Sequence, residues 1–173
     1  MNKSRNLLTT DRFRIEEMTR QLPGGQTRTR AIVRHPGAVA ILPMVDSAHV
    51  CLIENYRVSV DRTLLEIPAG TLEDQATPLE TARRELKEET GYDAATIKQV
   101  AWFYLSPGVL DEKMTLFVAE GLTAGEPQRE VGEEIENRVI AWGEAIDMVF
   151  SGEITDAKTI AGLLIYDRLR GAG

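Results

Sequence analysis

At 173 residues and 43% hydrophobic content, the chain is long enough to bury one substantial core and too short for two ordinary domains. Its formal net charge of −7, from 27 acids against 20 bases, disfavours nucleic acid and anionic membranes as partners, so a polyanionic ligand would need local arginines or bound cations. The amino-terminal MNKSRNLLTTDRFRIEE lacks an apolar stretch of roughly 7 to 15 residues, and the apolar run from Ala38 to Val45 contains Pro43, which argues against secretion or membrane spanning and for a cytoplasmic location.

In chain order, residues 1–36 read as a β-hairpin. Phe13 and Ile15 alternate with charge in Arg12 to Gln21, Pro23-Gly24-Gly25 turns the chain, and Gln26 to His35 continues extended. Two strands alone bury too little to be stable, so this appendage is expected to pack on the main domain, residues 37–173, or on a second copy. From Gly37 the pattern becomes densely β, with strands expected at Ala38 to Met44, His49 to Tyr56 and Arg62 to Ile67. Cys51, the sole cysteine, sits in Val50-Cys51-Leu52-Ile53 and reads as a buried, inert thiol; it leaves no disulfide within the chain and no multi-cysteine zinc site. His35 and His49 lack the spacing of a histidine-based metal site. After a loop, Pro68 to Ala76, comes a helix, then strands at Gln99 to Leu105 and Lys113 to Ala119, an acidic loop from Glu126 to Glu136, a strand at Arg138 to Trp142, and helices from Gly143 and Asp156. Strands with helices inserted among them indicate an α+β class around one sheet system.

The first of those helices carries the chemistry. Thr77 suits the N-cap, Pro78 the first turn and Glu80 the third position of a capping box, and Gly91 supplies the stop. Leu79, Ala82 and Leu86 form a stripe expected to pack on the sheet, while Glu85, Glu88 and Glu89 gather on a neighbouring edge. Three carboxylates so close repel one another unless a hard cation lies among them. The preceding Ile67-Pro68-Ala69-Gly70 offers the Ala69 carbonyl as a further oxygen, and Gly70 permits close approach of the backbone. Oxygen-only ligation suits Mg²⁺ or Mn²⁺.

The stretch GTLEDQATPLETARRELKEETGY, Gly70 to Tyr92, resembles the signature box of the Nudix hydrolases: a glycine, then Arg84-Glu85-Leu86-Lys87-Glu88-Glu89-Thr90-Gly91 at the family spacing. One position departs, since Ala76 stands where the family usually has a glutamate that holds the box arginine. Glu80, one turn before Arg84, is expected to substitute for it, with Glu73 as the second candidate. The resemblance implies a Nudix-type α/β/α sandwich around a mixed sheet with the amino-terminal hairpin appended. Outside the box, HPGAVAILP, Asn55-Tyr56-Arg57, LEIPAG and Ser106-Pro107-Gly108 are similar to the ADP-ribose pyrophosphatase branch, in which a proline follows the last box glycine by about sixteen residues, as Pro107 follows Gly91.

That branch implies magnesium-dependent hydrolysis of ADP-ribose to AMP and ribose 5-phosphate. It implies Ala69, Glu85 and Glu89 as metal ligands and Glu88 as partner of an additional metal or its water, with Gly70, Arg84, Glu80 and Glu73 supporting the site. Arg57 matches a diphosphate-binding arginine and Glu112 a substrate-contacting glutamate, beside the Pro107-Gly108 turn. A late-loop glutamate, Glu133 before Glu134, would act on the attacking water. A homodimer sharing the amino-terminal strands is implied as well. The alternatives are another nucleoside diphosphate sugar, GDP-mannose in particular, and a sensor that binds ADP-ribose without cleaving it; capped RNA is disfavoured by the absence of a basic stripe.

Overall fold

The structure, a computed structural model, describes residues 3–129 and 134–171. Among these the chain forms β1 (Lys3–Thr9), β2 (Arg14–Gln21), β3 (Thr27–Arg34), β4 (Ala38–Pro43), β5 (His49–Arg57), β6 (Arg62–Glu66), β7 (Ala69–Thr71), α1 (Pro78–Thr90), β8 (Asp93–Tyr104), β9 (Lys113–Thr123), β10 (Ile135–Ala141), α2 (Trp142–Ser151) and α3 (Ala157–Arg170).

The strands make three sheets, ordered β1-β2-β3, β10-β5-β6 and β7-β4-β9-β8. β4 and β9 run parallel and the other pairs antiparallel. Every residue of β4 is buried, as suits a central strand covered on both faces, and its sequence AVAILP is accordingly an unbroken apolar run. Val39, Ile41 and Phe117 face one way, against Ala82 and Leu86 of α1. Ala40, Leu42, Leu116 and Val118 face the other, into a core shared with β5, Ala145 and Met148 of α2 and Leu163 of α3. The result is the expected helix–sheet–helix sandwich of α+β class.

Helix α1 begins and ends as its sequence predicts. Thr77 accepts from Glu80 N, the Glu80 carboxylate accepts from Thr77 N at 2.8 Å, and Gly91 adopts φ 79° while donating its N–H to Lys87 O. Leu79, in the first turn of the helix, departs from the expected stripe: it is 44% exposed and absent from the cluster that Ala82 and Leu86, both fully buried, join under the sheet.

Other elements differ in extent. The amino-terminal unit is a three-stranded meander, not a hairpin, because β1 adds Lys3–Thr9 along β2. That strand is exposed throughout, so it carries no inward-outward alternation to announce it. A short β7 lies inside the expected loop, paired with β4 through Ala40↔Ala69. β8 starts six residues earlier than its apolar run suggests, as an edge strand that is mostly solvent-facing and kinked by a register shift between Gln99 and Ala101.

Candidate active site

Strands β5, β6 and β7 and the exposed edge of α1 enclose a cleft of two adjoining lobes. The first, about 510 Å³, is lined by Glu85, Glu88 and Glu89 of α1, by Arg84, and by Gly70 to Asp74. The second, about 440 Å³, is lined by Glu66, Glu112, Asp156 and Lys158, with Leu105 and Met114 as apolar floor. Arg57, Ala69, Gly70 and Thr71 border both, so the arginine at the end of β5 stands where the lobes meet.

The acidic lobe is built by close approach. A Cβ on Gly70 would fall closer than 3.0 Å to Glu85 Cγ, Cδ and Oε1, so the backbone reaches the carboxylate only because residue 70 has no side chain. Glu89, 5% exposed, accepts from Ala69 N at 3.0 Å, which ties the buried end of the acidic edge to β7. Arg84 gathers three carboxylates: Nη1 to Glu88 Oε2 at 2.6 Å, and Nη2 to Glu85 Oε1 at 2.7 Å and to Glu73 Oε1 at 3.1 Å. Burial works against the Arg84 charge, but Glu85, Glu88 and Glu73 outweigh it and raise its pKa. Among the described residues no group of three or more His, Cys, Asp or Glu side chains converges to hold an ion in this arrangement. The guanidinium stands in for the positive charge the lobe attracts, and the donor set, carboxylates beside a strand-end carbonyl, fits a hard cation such as Mg²⁺.

The expected Glu80–Arg84 pair is not formed. The Glu80 carboxylate accepts from Thr77 N and from Thr77 Oγ1 at 2.7 Å, so the helix cap consumes it, and Glu73 from the preceding loop takes the arginine instead. With Ala76 at the usual glutamate position, this exposed loop acid is the partner the chain supplies.

The second lobe holds a buried ionic network that sequence reasoning missed. Arg57 clamps Glu66 with Nε to Oε1 at 2.8 Å and Nη2 to Oε2 at 2.6 Å. Lys158, 6% exposed, also reaches Glu66 Oε2, and it pairs with Asp156 at 3.0 Å. Burial alone would raise the Glu66 pKa; the Arg57 hydrogen bonds and the Lys158 charge overcome that and hold it below the usual carboxylate range. Glu66 and Lys158 lie 92 residues apart in the chain, and a lysine in DAKT carries no local sign of its destination.

Glu112 lines this lobe near His35, whose Nδ1 is 3.8 Å from its Oε1. Pro107 and Gly108 line neither lobe. Their turn, in which Ser106 O accepts from Val109 N at 3.0 Å and Leu110 N at 2.9 Å, instead carries the chain to Asp111. Asp111 accepts from His35 N at 2.9 Å and Arg34 Nη1 at 2.8 Å, which fixes Glu112 against the end of β3. Asp11 and Arg12, from the β1–β2 turn, reach the first lobe and were not anticipated, since an ordinary turn sequence gave no signal. Of the late acidic loop, Glu133 lies outside the described residues, and Glu134 is exposed just before β10. Its root is fastened to the carboxyl end of α1: Gln128 N donates to Glu88 O at 2.9 Å, Arg129 Nε to Glu89 O at 3.1 Å and Asn137 Nδ2 to Thr90 O at 2.7 Å. These donors satisfy carbonyls that a helix end leaves open.

A NUDIX domain profile matches residues 34–162. The chain is 43% identical over 141 residues to an ADP-ribose pyrophosphatase of Bacillus subtilis (strain 168), covering 80% of this chain and 76% of that protein. It is 36% identical over 166 residues to an ADP-ribose pyrophosphatase of Mycobacterium tuberculosis (strain ATCC 25618 / H37Rv), covering 93% and 79%. A crystal structure of an ADP compounds hydrolase superposes with a TM-score of 0.85 at 22% identity, over 99% of this chain and 94% of the other, a likeness of fold.

Proposed function

This chain belongs to the Nudix family, and from that membership we propose that it hydrolyses the diphosphate bond of ADP-ribose to AMP and ribose 5-phosphate, with Mg²⁺ or Mn²⁺ as cofactor. The observation that carries the reading is the meeting of an acidic lobe and a cationic Arg57 along one cleft, the complement of a diphosphate escorted by metal. Glu85, Glu89 and the Ala69 carbonyl would hold the cation, with Glu88 beside them. When bound, the metal supplies charge neutralisation of the diphosphate and Lewis-acid polarisation of its oxygens.

Arg57 faces the substrate phosphates with its position set by Glu66, so the diphosphate is bound by a cation already in place. Glu112 orients the sugar side from the second lobe. Water adds to one phosphorus, the bridging oxygen departs with the other phosphate, and the proton passes to a late-loop carboxylate, Glu133 or Glu134. We propose a homodimer for the working protein in the cytoplasm. Its support is that no described residue of β1, β2 or β3 is buried and that Leu7 and Leu8 are each about half exposed on β1.

The test incubates the protein and Mg²⁺ with ADP-ribose, GDP-mannose, diadenosine polyphosphates and nucleoside triphosphates, and measures phosphate released after phosphatase treatment. Preferred release from ADP-ribose is expected. Preference for GDP-mannose would reassign the substrate, and binding of ADP-ribose without turnover would make the chain a sensor.

A further inference from the structure

The network behind Arg57 places a second cation, Lys158, on the carboxylate that Arg57 clamps. Glu66 is 1% exposed, and the bidentate clamp from Arg57 already supplies both its oxygens with donors and a counter-charge. Lys158, itself buried, nevertheless brings a second cation to Glu66 Oε2, the oxygen that Arg57 Nη2 uses. Burying that ammonium carries a desolvation cost, and an apolar side chain at the same place would serve packing as well.

What Lys158 adds is placement. Its other partner, Asp156, is the N-cap of α3, accepting from Thr159 N at 2.9 Å and Thr159 Oγ1 at 2.6 Å. Thr159 Oγ1 in turn accepts from Ile67 N at 2.9 Å, one residue beyond Glu66. The amino end of α3 is thus stapled to the end of β6 at two adjacent residues, by the Lys158 charge on the Glu66 carboxylate that aims Arg57 and by the Thr159 hydrogen bond to the Ile67 backbone. The four charged groups line the second lobe of the cleft rather than the core between the sheets. Because Lys158 and Arg57 share one carboxylate, the placement of Glu66, and through it of Arg57, depends on Lys158.

We infer that Lys158 is a positioning residue for Arg57, acting through the buried carboxylate of Glu66. The inference rests on the proposed diphosphate hydrolysis for its kinetic readout, but its geometric content stands without substrate. In Lys158→Met, the KM for ADP-ribose with Mg²⁺ is expected to rise about tenfold with kcat within about threefold, since ground-state binding of the diphosphate is what a loosened Arg57 loses. In an Arg57→Ala background the same substitution should add no further loss, because residues acting in series are not additive. A loss that adds to that of Arg57→Ala, or an unmoved KM, would overturn the inference.

A second arm needs no substrate. In protein labelled with ¹⁵N-arginine, the Nε–H signal that vanishes in Arg57→Lys is expected to exchange about tenfold faster in Lys158→Met than in the parent protein. An unchanged rate overturns the inference. If Lys158→Met does not fold, Lys158→Gln, which keeps a donor for Glu66 without the charge, is read in the same two assays. A parent protein that turns over neither ADP-ribose nor GDP-mannose would overturn the hydrolase reading alone, and the positioning role is then decided by the Nε–H exchange.

Discussion

Gly70→Ala isolates the closeness of backbone and carboxylate on which the acidic lobe is built. The added methyl would sit at 2.0 Å from Glu85 Cδ and Oε1, so the side chain must retreat by roughly 1.5 Å or more to reach ordinary contact. Leaving a preferred rotamer costs about 0.5–1.5 kcal/mol, and the Arg84–Glu85 pair, whose arginine is 36% exposed, adds well under 1 kcal/mol after solvent screening. Stability should therefore fall by about 1 kcal/mol, a Tm shift of roughly 2–4 °C for a chain of this size. Catalysis should suffer far more, because a misplacement of that order in a reacting assembly costs about 10²-fold. The assay is a magnesium titration of ADP-ribose hydrolysis beside a thermal melt. A variant that keeps the parental magnesium half-saturation and kcat would refute the claim that Gly70 sets the position of Glu85.

Other consequences are open to measurement. Glu73→Gln should lower kcat several-fold with a stability change under about 0.5 kcal/mol, as its pair with Arg84 is largely exposed, and Ala76→Glu in that background should restore the rate; no rescue would mean that Arg84 is held otherwise. Burial pushes the Cys51 thiol up to about 12, so a disulfide-exchange reagent at mildly alkaline pH should fail to label the folded protein and label it fully after denaturant, whereas rapid native labelling would contradict the buried placement. Glu66 has a folded pKa below its unfolded one, so its contribution to stability is present above the unfolded value and is lost as pH falls through the folded value. Glu66→Gln should flatten the acid limb of the stability curve, and an identical acid limb would exclude that contribution.

What could be read in the sequence was local. The cap, the stop and the acidic edge of α1 depend on residues within one or two turns, and β4 announces itself as a run buried on both faces. Arg57 and Glu112 were implied by the resemblance of the Asn55-Tyr56-Arg57 strand end and of the segment after Ser106-Pro107-Gly108, and both line the cleft. One Glu80 carboxylate cannot serve both the capping box and Arg84. Thr77 N and Oγ1 lie three residues away and claim it first. What stayed hidden depends on chain crossings. Lys158 meets Glu66 only because α3 docks its amino end beside β6, and Asp11 reaches the acidic lobe only because the meander folds its turn over the cleft. Pro107 matters through the loop it bends, whose far end, Asp111, is pinned to Arg34 and His35.

The central claim is tested most directly by following ADP-ribose and Mg²⁺ with ³¹P NMR in the presence of the protein. The diphosphate signals are expected to disappear with equal appearance of AMP and ribose 5-phosphate, at a rate abolished by chelator and reduced by at least about 10²-fold in Glu85→Gln and in Glu89→Gln. Intact diphosphate signals, or turnover indifferent to chelator and to both substitutions, would contradict it.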